Sequence, residues 1–313
     1  MKIRLFFAFI LCFFFAHSAL AFWVWTPESK KWTNPKFAPK ESPQEQLAFA
    51  QSYYKAEDYE SAMREFKKLL KYYPDAVEAP EAQFHVGLCL EEMGKYYEAY
   101  QAFQKVIAKY PFSARTQDIL EREYIVAQKL LDYRTSFVGI DMTGENAAVE
   151  VFRQIIENAP YGKYAAASQY KIGLVNKAKG FFEDATKEFQ KVVDNYPESE
   201  WAEPAKFQIA LCADRSSLDA AYDQTLTEEA KEKFREFITK HPDAELSQQA
   251  TERIGALRDK EAESQYLVGQ FYEKQRAFKS ARIYYNHVIQ AYPKSPWAVK
   301  ALERIQTLER ERL

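Results

Sequence analysis

The sequence predicts an all-α fold, a superhelix (α-solenoid) of about six helix pairs plus a C-terminal capping helix. Three regularities predict it. An alanine is followed by a proline twelve residues later in six places: Ala62–Pro74, Ala99–Pro111, Ala148–Pro160, Ala185–Pro197, Ala230–Pro242 and Ala281–Pro293. An aromatic residue stands four positions after each of these alanines, at Phe66, Phe103, Phe152, Phe189, Phe234 and Tyr285. A further small residue precedes the alanine by twelve in four copies, at Ala50, Gly87, Gly173 and Gly269. The best-formed unit, Gly87 to Pro111, reads GLCLEEMGKYYEAYQAFQKVIAKYP. Residues four apart share a helical face, so Ala99 and Phe103 point into one seam. Met93-Gly94-Lys95 breaks the pattern between two helices. Pro111 ends the second, because it has no N–H to donate and clashes with the preceding turn. Gly87 and Ala99 are small so that the two backbones can approach. Self-similarity at a period near 37 residues is the mark of stacked helical hairpins.

The chain has three parts: residues 1–21, 22–42 and 43–313. The first reads as a secretory signal. Lys2 and Arg4 give a basic start, Leu5 to Ala16 an apolar core, and Ala19-Leu20-Ala21 a small-x-small cleavage site. Cys12 lies inside the apolar core and not after a small-residue lipobox, so no lipid-attachment cysteine is expected. The mature protein is expected in the periplasm.

The second part, residues 22–42, carries Trp23, Trp25 and Trp32 among prolines at 27, 35 and 39. The prolines forbid a helix, so an extended or turned arm is expected. Trp23 and Trp25 would share one face of it. The arm either lies back on the first helices or docks on a partner protein or the membrane interface.

The third part begins at Ser42-Pro43-Gln44-Glu45, with Ser42 as N-cap and Pro43 at the first helical position. Repeats one and two run to Pro74 and Pro111. The third is irregular. Tyr124 stands where a glycine is usual, and an insertion near 132–144 contains Gly139 and Gly144. Repeat four is regular, with Gly180 in its turn. Repeat five has a second insertion near 214–226, with Thr225 and Thr227 as candidate caps. From Leu246 to Lys274 the chain is one long helix or two joined near Arg258–Ala262. Ser295-Pro296 starts the last helix, whose apolar residues are Trp297, Leu302, Ile305 and Leu308. Its outer face is expected to be polar, as an end cap requires. Strand-type alternation is absent.

The formal charge of −2 and the lack of a long basic run argue against nucleic-acid binding. No catalytic constellation is visible. His17, His85, His241 and His287 are not spaced as metal ligands, and there is no phosphate loop or nucleophile elbow. No cofactor or metal is therefore expected. Glu91-Glu92 and Glu228-Glu229 read as solvated pairs. Cys89 and Cys212 each follow a small residue by two positions, and read as buried core thiols.

The spacing of small residues, aromatics and prolines resembles the tetratricopeptide repeat. In that family first-helix residues line a concave face. The sites three before the small position are Leu47, Phe84, Glu121, Tyr170, Phe207 and Tyr266. Those one after it include Leu88 and Leu174. The resemblance implies a protein-binding surface of Leu47, Phe84, Leu88, Tyr170, Leu174, Phe207 and Tyr266, joined by the arm's Trp23, Trp25 and Trp32. Alternatively, these side chains pack between adjacent helices.

The stretch EAESQYLVGQFYEKQRAFKSARIYYNHVIQAYPKSPWAVKALERI, Glu261 to Ile305, resembles the C-terminal repeats of the BamD family. AMREFKKLLKYYPDAVEAPEAQFHVG, Ala62 to Gly87, is similar to the N-terminal repeats of that family. The resemblance implies a non-enzymatic scaffold for outer-membrane β-barrel assembly. It also implies two partners, a BamA-like barrel assembly protein and unfolded outer-membrane protein segments. The missing lipidated cysteine, the sixth repeat and the Trp-rich arm depart from the family pattern. A Tol-Pal or cell-division coordinator built from the same repeats is the alternative. An enzyme with active residues in the insertions is a third reading, but the insertions hold no clustered His, Cys or paired carboxylates.

Overall fold

A computed structural model describes residues 24–26, 31–33, 38–132, 134–137, 140–216, 224–243 and 245–310. The expected signal at 1–21, Trp23, Cys12 and His17 lie outside these residues. So does 217–223 of the second insertion.

Thirteen α-helices are described, arranged as the repeats require. The chain divides into two units, 1–133 and 134–313. In the first, α1 (Pro43–Lys55) and α2 (Tyr59–Tyr72) form a hairpin, as do α3 (Ala79–Glu92) and α4 (Tyr96–Lys109). Helix α5 (Thr116–Asp132) packs on α4 and closes the unit. The second unit contains α6 (Glu145–Asn158), α7 (Ala165–Ala178), α8 (Phe182–Asn195), α9 (Ala202–Ser216) and α10 (Thr225–Lys240). It ends with α11 (Glu245–Lys274), α12 (Phe278–Ala291) and α13 (Pro296–Arg310). Each helix packs on the next within its unit. The division falls at the first insertion.

The proline stop works the same way in every repeat. Six helices are C-capped by the residue before a proline: Tyr73, Tyr110, Ala159, Tyr196, His241 and Tyr292. In five of them the proline is the second residue of a turn closed by an N–H bond to the carbonyl three back, such as Ser113 N to Tyr110 O at 2.9 Å. Proline's fixed φ suits that site. The tyrosine also links repeats, since Tyr110 Oη donates to Pro74 O at 3.1 Å. Turns within hairpins use the left-handed region at Gly94 and Gly180, where a side chain would be strained.

The small residues serve a purpose beyond backbone approach. A Cβ added at Gly87 would lie 2.3 Å from the Phe103 ring; at Gly173 it would meet Phe189, and at Gly269 Tyr285, each at 2.6 Å. Each glycine is therefore a socket for the aromatic ring of the facing helix. Those rings are fully buried.

Several details differ from expectation. Ser42 caps α1, accepting from Glu45 N at 3.2 Å. Neither Thr225 nor Thr227 caps α10; the cap residue is Gln224, and buried Thr227 donates to its side chain instead. Helix α11 is continuous over 30 residues. Two short hairpins occur despite the absence of alternation. Strands β1 (Val24–Thr26) and β2 (Lys31–Thr33) pair antiparallel, with Trp25 opposite Trp32. Strands β3 (Arg134–Phe137) and β4 (Ile140–Thr143) pair in the first insertion, where a loop was expected. Connections of four and two residues, with β-branched residues in the strands, suffice for such local ribbons, even where too few residues alternate to stand out. On α13, Ile305 and Leu308 are buried, but Val299 and Leu302 are 61% and 47% exposed. The end face is not wholly polar.

Candidate functional site

The repeats place the candidate binding residues in two classes. Phe84, Tyr170, Phe207 and Tyr266 are buried. They do not form a surface ladder. Each packs inward against the ring of its own hairpin: Phe84 on Phe103, Tyr170 on Phe189, Phe207 on Phe234 and Tyr266 on Tyr285, with centroids 5.3 to 5.9 Å apart. The residue four after each proline then covers the other side in three repeats. Arg115 lies over Phe84 at 5.1 Å, Trp201 over Tyr170 at 5.0 Å, and Trp297 over Tyr266 at 5.1 Å. The aromatic series therefore runs through the interior and binds one repeat to the next. This covering position was missed by sequence reasoning, although its constant offset from the proline was available.

Leu47, Leu88 and Leu174 are half-buried and keep part of their surface. Trp25 is 48% exposed. Trp32 pairs with it in backbone register, and Trp23 lies outside the described residues.

One turn beyond each small residue, the first helices carry polar groups: Tyr54 and Glu91 in the first unit, Lys177, Asp214 and Glu273 in the second. Burial raises the Glu91 carboxyl, against the pull of Arg122 at 3.4 Å, so this residue is not a freely solvated acid. Burial lowers Lys177, which donates to Gln208 Oε1 at 2.5 Å and has Arg215 and Arg253 nearby. Burial alone would raise Glu273, but hydrogen bonds from Arg304 and Tyr285 Oη outweigh it and hold it low.

Nothing in this arrangement resembles a reaction centre. His85 packs against Phe66 at 4.9 Å and donates from Nδ1 to Glu81 O at 3.0 Å, as a structural histidine. Burial pushes the Cys89 thiol to about 12 and raises Cys212; both are free and buried. Among the described residues no group of three His, Cys, Asp or Glu could hold a metal. Likewise, no described helix is long and apolar enough to cross a membrane.

Comparison with known proteins agrees with this geometry. Tetratricopeptide-repeat family models match residues 47–114 and 167–199. A family model described as outer membrane lipoprotein, YfiO, matches residues 210–312, which span α9 to α13. A curated relative, the outer membrane protein assembly factor BamD of Caulobacter vibrioides, is 24% identical over 173 residues. The chain is similar to BamD and to tetratricopeptide-repeat proteins. The alignment covers 55% of this chain and 57% of the Caulobacter BamD, so the chain spans little more than half of that relative's length. Among solved structures, MamA is similar with a TM-score of 0.38 and 19% identity, over 64% of this chain and 92% of that one. The C-terminal part of a TPR repeat-containing protein from Cytophaga hutchinsonii has a TM-score of 0.40 and 16% identity, over 84% and 88%. The helical hairpins of 47–114 and 167–199 are thus similar to tetratricopeptide repeats, and 210–312 to the outer membrane lipoprotein family.

Proposed function

We propose that this BamD-like chain is a non-enzymatic periplasmic scaffold in outer-membrane β-barrel protein assembly. It is exported by a cleaved signal at residues 1–21. It holds a BamA-like assembly protein and segments of unfolded outer-membrane proteins. The observation that carries this reading is the outer-membrane lipoprotein match over 210–312, which falls on consecutive packed helices of the second unit. Leu47, Leu88 and Leu174 are the first-helix residues we assign to partner contact, with Trp25 and its register partner Trp32 in the arm.

Affinity capture from envelope extracts with the full chain tests the reading. Recovery of a BamA-like protein is the expected outcome. Recovery of only Tol-Pal or peptidoglycan proteins would assign the chain to that other process. The arm is proposed to supply the anchorage that a lipidated cysteine would give. Deleting residues 22–39 then moves the protein from the membrane fraction to the soluble one; unchanged fractionation would sink that assignment.

A further inference from the structure

The repeats themselves supply a reference against which one pocket stands out. In regular hairpins, a glutamine four before the small residue reaches across to the residue just before the buried ring. Gln46 Nε2 donates to Glu65 Oε2 at 2.9 Å, Gln83 Nε2 to Ala102 O at 3.0 Å, and Gln169 Nε2 to Glu188 Oε2. The amide is thereby satisfied, often by a carboxylate.

Repeat five breaks this rule on both sides. Counting four back from Ala210 gives Lys206, and the residue before Phe234 is Lys233. Where Gln46 faces Glu65 and Gln169 faces Glu188, two lysines line the same cavity. Like charges brought together repel, and Lys206 lacks the facing carboxylate acceptor that Gln46 and Gln169 have.

The cavity has a volume of about 240 Å³ and lies between α8, α9 and α10. Val193, Ile209 and Phe237 give it apolar walls, and Lys206, Lys233, Lys240 and Glu236 bring three ammonium groups against one carboxylate. That carboxylate is already engaged. Lys240 Nζ sits 2.5 Å from Glu236 Oε1, and Lys240, Lys233 and Lys206 together hold this acid below its ordinary range. Lys233 leans to exposed Glu229 at 3.4 Å. Gln190, on the opposite wall, gives its amide to Asp194 at 2.8 Å. Lys206 Nζ lies 3.5 Å from the imidazole Nε2 of His241. No described carboxylate lies within ion-pair distance of Lys206.

We propose that this cavity receives an acidic side chain of a partner protein, its carboxylate set between Lys206 and Lys233 and an adjoining apolar side chain against Val193, Ile209 and Phe237. The carboxylate restores the acceptor that Glu65 and Glu188 supply in the other repeats. The volume is below that of ordinary small-molecule sites, roughly 300–1,000 Å³, so a nucleotide-sized ligand does not fit. The apolar walls select a peptide over a bare inorganic anion. The proposal rests on the protein-binding reading of the chain but not on a barrel-assembly partner. Failure of affinity capture alongside success here would remove only that partner.

The test is fluorescence anisotropy with the full chain and a labelled Leu-Glu-Leu-Glu-Leu peptide amide. The Leu-Gln-Leu-Gln-Leu counterpart and inorganic phosphate serve as comparisons. The Glu peptide is expected to bind at least about tenfold tighter than the Gln peptide, and more weakly as salt rises. The double variant Lys206→Gln, Lys233→Glu rebuilds the regular pair. It should lose about tenfold or more in affinity while keeping its helical circular dichroism and gaining melting temperature. Lys206→Gln alone should weaken binding less. Three results would overturn the proposal: equal binding of both peptides, undiminished binding by the double variant, or no Glu-peptide binding at about 1 mM. Phosphate displacing the peptide at equal concentration would make this an inorganic-anion site and also end it.

Discussion

Helices α3 and α5 begin alike, five residues after a proline, yet they end differently. At the equivalent positions α3 has Val86-Gly87 and α5 has Glu123-Tyr124. Val86 is buried and Gly87 receives the Phe103 ring, so α3 can be closely backed by a second helix. Tyr124 offers no such socket. Glu123 is fully buried, with Gln104 Nε2 donating to Oε1 at 2.7 Å and Oε2 without a partner. Burial pushes its carboxyl to about 8. The first unit ends just after α5. The comparison teaches that a small residue, glycine here and alanine at 50 and 210, seats the ring of the facing helix, and that α5, with Tyr124 at that position, is the last helix of the first unit.

The comparison can be broken most sharply at the ring. Phe103→Ala should cost about 3–5 kcal/mol, measured by urea unfolding of the first unit's transition, because a fully buried ring leaves a cavity. A loss under about 1 kcal/mol would mean that the socket does not hold the hairpin. Gly87→Ala comes next. Its new methyl would press on Phe103, at an expected cost of about 1–3 kcal/mol despite alanine's better helix propensity.

Glu123→Gln sharpens the other half of the comparison through pH. Burial raises the folded carboxyl to about 8, against an ordinary 4.5. The stability linked to its proton is whole below the unfolded value and is lost as pH rises through about 8. The Gln variant should therefore match the parent near pH 5 and exceed it at pH 8 by on the order of 1–3 kcal/mol. A melting-temperature difference that stays flat between those two pH values would refute this. The smallest effect is a control of opposite sign. Gly255, within α11, has open space where a Cβ would go, so Gly255→Ala should stabilise by about 0.5–1 kcal/mol.

Much of this architecture was legible because its determinants are local. A proline at a fixed distance from an alanine dictates both a helix end and the following turn, and neither depends on distant residues. The aromatic series was legible as a series but not in its direction. Whether Tyr170 faces solvent or Trp201 depends on the angle between repeats, which spacing along the chain does not encode. Glu123 went unread in the sequence, because only packing in three dimensions reveals that its position is the aliphatic one of Val86. Conversely, the unlike pairing of Lys206 and Lys233 was readable in principle. It needed the Gln–Glu bonds of the other hairpins to show what should have stood there.

Helix α11 joins two cores without a joint. Its first half packs Ala250 and Leu257 with Phe234 and Phe237, and its second half packs Ala262 and Tyr266 with Tyr285 and Ile305. Lys231 Nζ, donating to Glu261 Oε2 at 2.6 Å, clamps its middle. A rod of this length, roughly 45 Å at 1.5 Å per residue, works as a strut. Tension applied at the last hairpin therefore has a direct helical path into the core of Phe234 and Phe237.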